Sequence, residues 1–136
     1  MARAWIGTPY FPCEAKQGRG CDCGSLLAAV YAQAGIIPRI ELAHYDWTRA
    51  WAVAGGDAYY LGMVTRYAHE INEEDAGVGD IVMYRVGKGW SHGGIIIRWP
   101  GEVVHAMRAC GVVASPGVTG FLAGRQRRFF SPQLPN

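Results

Sequence analysis

Apolar residues recur first at helical spacing and later at strand spacing along this chain. In CGSLLAAVYAQAG, which begins at Cys23, Leu26, Leu27, Val30 and Tyr31 fall on one helical face and Gly35 is placed as a C-cap. The pattern predicts a helix, and Asp22 just ahead of it is a short carboxylate suited to capping free backbone N–H groups. From Tyr45 to about Asn72 the segment holds two helix-like stretches separated by Gly55-Gly56, with Asp57 as a cap for the second. After Gly77 the period shortens. GDIVMYRV, HGGIIIRW, EVVHAM and GVVAS are brief, apolar or alternating, and broken by Gly and Pro, so they read as neighbouring antiparallel strands. Pro100-Gly101 marks a turn between the second and third, and RQRRFF is a last strand. Helices followed by sheet predict an α+β fold rather than alternating parallel units.

Composition narrows the classes of function. A length of 136 residues suits one domain spanning 1–136, built around one core. Half the residues are hydrophobic, 18% are charged and the net charge is +2, which excludes a disordered chain and a nucleic-acid coat. No nucleic-acid partner is expected, and Arg125, Arg127 and Arg128 read as the solvated side of a strand or a docking face, together with Trp47 and Trp51. No apolar run approaches the ~18 residues of a membrane span, so no membrane insertion is expected. The opening MARAWIGTPYFP has no apolar run fit for a signal-peptide core, which implies another route for any exported role.

A thiol in the first helical turn faces the positive end of the helix dipole, which favours thiolate, so Cys23 is a candidate nucleophile. The alternative is a small buried thiol. A nucleophilic thiol needs a base, commonly a histidine held by a third group. His44 and His69 sit in or beside the helical stretch and read as structural. His92 and His105 belong to one predicted hairpin. With Pro100-Gly101 as a two-residue turn, His105 faces Ile96 and His92 lies about 13 Å further along the strand. A bulge or bend near Gly93-Gly94 would be needed to bring the rings together.

The string GCDCGSLLAAVYAQAG resembles the nucleophile segment of the NlpC-type cell-wall cysteine peptidases, usually Asp-Cys-Ser-Gly-Leu followed by such a helix. GTPY at 7–10, GDIVMYR at 79–85, SHGGIII at 91–97 and EVVHA at 102–106 resemble the family's remaining segments, in its order. The resemblance implies a papain-like fold with the nucleophile-bearing helix packed on an antiparallel sheet. It implies Cys23 as nucleophile, His92 as general base and His105 as the residue that orients His92. It further implies that Tyr10 lies near the acyl centre and that Asp22 recognises a free amino terminus of a peptidoglycan stem peptide. Both residues also have bland readings, Tyr10 as a core aromatic and Asp22 as a plain cap.

Departures from the pattern matter too. Asp-Cys-Ser-Gly is here Asp-Cys-Gly-Ser, which turns Ser25 by about 100° around the helix and removes the basis for a substrate role. Cys13 and the Cys21-x-Cys23 pair, with a histidine, could bind zinc but match no recognised zinc spacing; Cys13, Cys21 and Cys110 read as small buried thiols, so neither metal nor cofactor is expected. The GCDC form is similar to a subgroup encoded by tailed phages and gene transfer agents. That implies a tail-tip location, tail hub or tail-tip partners, and local cutting of stem-peptide amide bonds. The alternatives are an amidase effector delivered by a contractile secretion system and an inactive structural tail-tip protein.

Overall fold

A computed structural model describes residues 1–11, 15–39 and 56–132, with the backbone alone for 56–59. A short hairpin of β1 (Ala15–Lys16) and β2 (Gly20–Cys21) leads into helix α1 (Cys23–Gln33). Helix α2 (Gly56–Tyr67) follows, then β3 (Ala68–Ile71), β4 (Ile81–Val86), β5 (Gly89–Arg98), β6 (Glu102–Met107), β7 (Gly111–Ser115) and β8 (Arg127–Pro132). The last six strands form one antiparallel sheet in the order β3-β8-β4-β5-β6-β7. Helices before sheet is the order expected for the α+β class.

Alternation along the strands divides the core between the two faces of this sheet. Ile81, Met83, Ile95, Val104, Ala106 and Phe130 meet Leu26, Leu27, Val30 and Tyr31 of α1 and Tyr60 and Val64 of α2. Val82, Tyr84, Ile96, Val103 and Phe129 turn to the other face, where Leu122 covers them. The last turn of α1 is tied down: buried Trp5 donates to Gln33 Oε1 at 3.2 Å, and Tyr31 donates its hydroxyl hydrogen to the Gly79 carbonyl at 2.8 Å. No described helix is long and apolar enough to cross a membrane.

Two expectations shift. The helical pattern expected to run to about Asn72 stops at Tyr67, because Ala68–Ile71 pairs with β8 as an edge strand. Tertiary pairing there overrides the helical period. His69 accordingly lies exposed on β3. The first of the two helix-like stretches, with His44, Trp47 and Trp51, lies outside the described residues, as does Cys13.

Strand β5 runs through the sheet centre with two glycines where its faces are tightest. A Cβ on Gly93 would stand 2.6 Å from the Tyr60 hydroxyl oxygen and 3.3 Å from Leu27 Cδ1. A Cβ on Gly94, on the opposite face, would stand 2.5 Å from Val103 Cγ1 and 3.2 Å from His105 Cβ. Neither Val103 nor the backbone beside it is a flexible tip that can swing away. Gly94→Ala is expected to cost about 1–3 kcal/mol through overpacking. Urea unfolding should show a lower midpoint with unchanged slope, and an unchanged midpoint would contradict the packing described.

Candidate active site

The amino-terminal segment threads past the sheet and sets Tyr10 beside the head of α1. Gly7 N–H donates to the Val112 carbonyl and Val112 N–H to the Thr8 carbonyl, each at 2.9 Å. Cys21 N–H then donates to Pro9 O at 3.0 Å, and Tyr10 forms a bridge with Cys21. Asp22 is the N-cap of α1: its Oδ1 accepts from Ser25 N–H at 2.8 Å, and its own N–H donates to Ser25 Oγ at 2.8 Å. This reciprocal pair is a capping box with serine in the place usually held by Glu or Gln. Ser25, displaced from the familiar motif, therefore fixes the helix start and is fully buried. Cys23 is the first residue of the helix, and its thiol lies 3.6 Å from the Ser91 carbonyl of β5.

The two histidines meet. His92 Nε2 and His105 Nδ1 are 2.9 Å apart, with the rings nearly perpendicular at 86°. The gap expected from a two-residue turn closes because Arg98, not Trp99, pairs with Glu102, and the β5–β6 register shifts between Ile96 and Arg98. Ile95 then pairs with Val104, which carries Gly94 opposite His105 and leaves His92 as the diagonal neighbour. Gly93 and Gly94 themselves pair regularly with Met83 and Val82, but the β4–β5 register shifts at Ser91, immediately before His92, so an irregularity does lie near the glycines as well as after Ile96. The glycines serve by lacking side chains.

Cys23 and His92 line one cleft of about 390 Å³, with Tyr10, Ser91, Arg108 and Phe121 around them. Phe121 stands edge-on to His92 with ring centroids 5.5 Å apart, and the Arg125 guanidinium lies 4.3 Å from the Phe121 ring. The second ring nitrogen of His105 continues towards the sheet edge, with Nε2 2.8 Å from Ser115 Oγ on β7.

A sequence profile of the NlpC/P60 family matches residues 7–127. The chain belongs to the NlpC/P60 family. Among solved structures it is similar to an NlpC/P60 family protein from Bacillus cereus ATCC 10987, with 21% identity, a TM-score of 0.65, and coverage of 98% of this chain and 38% of that one. It is also similar to an NLP/P60 family protein, described as similar to lipoprotein, from Staphylococcus aureus subsp. aureus Mu50 (20%, TM-score 0.61, 93% and 38%). A third likeness is to the NlpC/p60 domain of the peptidoglycan hydrolase SagA (21%, TM-score 0.59, 97% and 92%). The chain thus spans well under half of the first two proteins and nearly all of the SagA domain. Among curated proteins no sequence match is found. The fold of this NlpC/P60 domain is papain-like, as its sequence implies.

Electrostatics of the site depart from the expectation set by helix position. Cys23 is 3% exposed, and burial, with the Asp22 carboxylate next to it, pushes the thiol up to about 12. The Tyr60 hydroxyl and the backbone amides of Gly24 and Gly93 act in the opposite direction and do not outweigh these effects. A helix N-terminus favours thiolate, but here its own cap supplies a competing negative charge. Burial also pulls His92 down to about 3, assisted by His105 and Arg125, and pulls His105 down to about 4. Tyr10 is held up at about 12 by burial, Cys23 and Asp22, against a hydrogen bond from Arg108. Burial therefore favours the neutral form of the thiol and of both imidazoles.

Asp22 is fully buried, with Oδ1 engaged by the cap, so in this structure it is not open to a substrate amine. Of the remaining thiols, Cys21 is buried as expected, whereas Cys110 is exposed, because the turn from β6 to β7 carries it outward. Among the described residues no three His, Cys, Asp or Glu side chains converge as metal ligands. Tyr60, Arg108, Ser115 and Phe121 escaped the sequence reading. All four reach the site by tertiary packing, and none stands in a motif that names it.

The buried imidazoles make acid stability a test of this geometry. Both folded-state values lie below the ordinary 6.5, so the unfolded chain binds protons that the folded chain refuses. Stability is full above the unfolded value and is lost as pH falls below it towards the folded values. Each ring should remove roughly 2 kcal/mol between pH 7 and pH 5. Urea unfolding across that range should show the loss, and His105→Asn should halve its slope. A flat profile would mean that the rings are not buried and neutral.

Proposed function

We propose that this chain is a cysteine peptidase that hydrolyses amide bonds in peptidoglycan stem peptides, with Cys23 as nucleophile, His92 as general base and His105 orienting His92. The observation that carries this reading is the convergence of Cys23 and His92 on one cleft, with His92 Nε2 engaged by His105 Nδ1 at 2.9 Å. That contact occupies one nitrogen of His92 and leaves Nδ1 for the thiol proton. Membership of the NlpC/P60 family and the likeness to the SagA hydrolase domain support the substrate class. No cofactor enters the reaction.

The resting neutrality of both partners shapes the chemistry. A thiol held up at about 12 and an imidazole held down to about 3 favour the neutral pair over a standing ion pair before substrate arrives. The proton passes from Cys23 to His92 as sulfur attacks the carbonyl carbon, and the C–S bond and the imidazolium form together. The tetrahedral oxyanion takes a hydrogen bond from the Cys23 backbone N–H. His92 then gives its proton to the leaving amine, the C–N bond breaks and a thioester remains. Water, deprotonated by His92, attacks that thioester and releases the acid and the free thiol. Tyr10 forms a wall of the cleft beside the acyl centre. Asp22 acts on Cys23 through the helix cap and its charge.

Digestion of purified Gram-negative peptidoglycan, followed by mass spectrometry of the released fragments, tests the reading. Wild type should release stem-peptide fragments, while Cys23→Ala and His92→Ala, both folded, should lower release at least about 100-fold. Full activity in either variant would overturn the assignment. Fragments cut at the sugar–peptide junction would mark an amidase, the chemistry of an injected effector, and no release from folded wild type would favour an inactive scaffold.

The GCDC resemblance supports a finer proposal, that the domain works at a phage or gene-transfer-agent tail tip and opens the wall locally for the particle. Under it, the domain should co-purify with its neighbouring tail hub protein when the two are expressed together. Absence of association would remove the tail-tip role and leave the peptidase intact.

A further inference from the structure

We propose that Ser115 is a positioning residue that fixes the tautomer of both site histidines, so that His92 presents an unprotonated Nδ1 to the cleft. This rests on the peptidase reading of Cys23 and His92 for its function, though not for its geometry.

Two neutral imidazoles 2.9 Å apart share one hydrogen between His92 Nε2 and His105 Nδ1. Only two arrangements are open. If His92 carries the hydrogen on Nε2, its Nδ1 is a lone pair, able to take a proton from a thiol. His105 must then have a bare Nδ1 and a hydrogen on Nε2. In the opposite arrangement His105 donates from Nδ1, His92 carries its hydrogen on Nδ1, and that nitrogen cannot act as a base. The choice falls to whatever faces His105 Nε2.

That partner is Ser115. Its Oγ lies 2.8 Å from His105 Nε2, and it donates its one hydroxyl hydrogen to the Pro116 carbonyl at 3.3 Å. A carbonyl only accepts, so the hydroxyl hydrogen placed there leaves an oxygen lone pair towards His105. His105 then donates from Nε2, accepts at Nδ1 from His92, and leaves His92 Nδ1 bare. Hydrogen direction runs without conflict from His92 through His105 and Ser115 to a backbone acceptor. The sheet builds this alignment: Ser115 pairs with Val103 and His105 with Val113, which makes Ser115 the diagonal neighbour of His105 across β6 and β7. His105 is 1% exposed but Ser115 is partly exposed, so water can enter where the hydroxyl is lost; a water there can donate or accept and does not hold one hydrogen direction.

Nitrogen-detected NMR of the 15N-histidine-labelled protein near pH 7.5 reads the tautomers directly. Wild type should show both rings protonated at Nε2 and bare at Nδ1. Ser115→Ala should move a measurable share of both rings to the opposite tautomer, and Ser115→Thr, which keeps the hydroxyl, should not. In peptidoglycan digestion, kcat for Ser115→Ala should fall roughly tenfold with KM unchanged, and Ser115→Thr should restore it. A wild-type His92 protonated at Nδ1 would overturn the proposal without any variant. So would a folded Ser115→Ala protein with wild-type tautomers. If wild type cleaves no peptidoglycan while the tautomers respond as stated, the hydrogen order stands and the peptidase reading falls.

Discussion

Strand β5 can carry a histidine into the middle of this fold only because the two residues after it have no side chains. At Gly93 the space is taken by Tyr60 and Leu27, so both helices close onto the sheet directly behind Cys23. At Gly94 the space is taken by Val103 and His105 from the neighbouring strand. A methyl at 93 would push the helices away, and one at 94 would push β6 outward and open the His92–His105 contact. The thiol and the histidine pair arrive from different layers, so their meeting depends on how closely those layers approach. Packing, rather than any local motif, sets the geometry of the site.

The same close packing decides the charges. Excluding water from Cys23, His92 and His105 disfavours every ionised form, and the Asp22 carboxylate adds to that for the thiol. Conventional reasoning about a cysteine at a helix N-terminus counts the dipole and omits the cap. Here the cap is a buried, adjacent carboxylate, and its charge opposes a thiolate in addition to burial, the larger effect. In the proposed reaction, charge separation is thereby deferred to the moment when a substrate carbonyl is present to share it.

Much of the fold was legible in the sequence because its signals are local. Helix α1 follows from the apolar spacing after Cys23, with Asp22 as its cap, and β4 to β7 follow from alternating apolar runs between glycines. Ala68–Ile71 was misread because its pattern continues the helical one, and only pairing with β8 distinguishes it. Cys23, His92 and His105 could be named from motifs, yet their contact could not be derived. A shift of the turn by one residue and an irregularity after Ile96 decide whether the rings touch, and neither leaves a mark in the sequence. Ser115 and Tyr60 were invisible for the same reason, since each joins the site across strands or layers distant in the chain.

The backbone at the head of α1 shows how one short motif divides its donors. An α-helix leaves its first amides without intrahelical partners, and each must be satisfied or used. Ser25 N–H goes to the Asp22 carboxylate at 2.8 Å, and Leu26 N–H begins the helical ladder at the Asp22 carbonyl at 2.9 Å. The Gly24 amide acts on the Cys23 thiol in favour of its ionised form. The Cys23 amide, at the first helical position, has no intrahelical acceptor and is the donor that the proposed reaction uses. A cap that reached this amide as well would steady the helix slightly and deprive an oxyanion of its donor. By engaging the third helical residue Asp22 closes the helix, and in the proposed reaction the Cys23 amide meets the developing negative charge. The serine two places after the cysteine, displaced from its usual position, serves this division because its hydroxyl holds Asp22 in place from the other side.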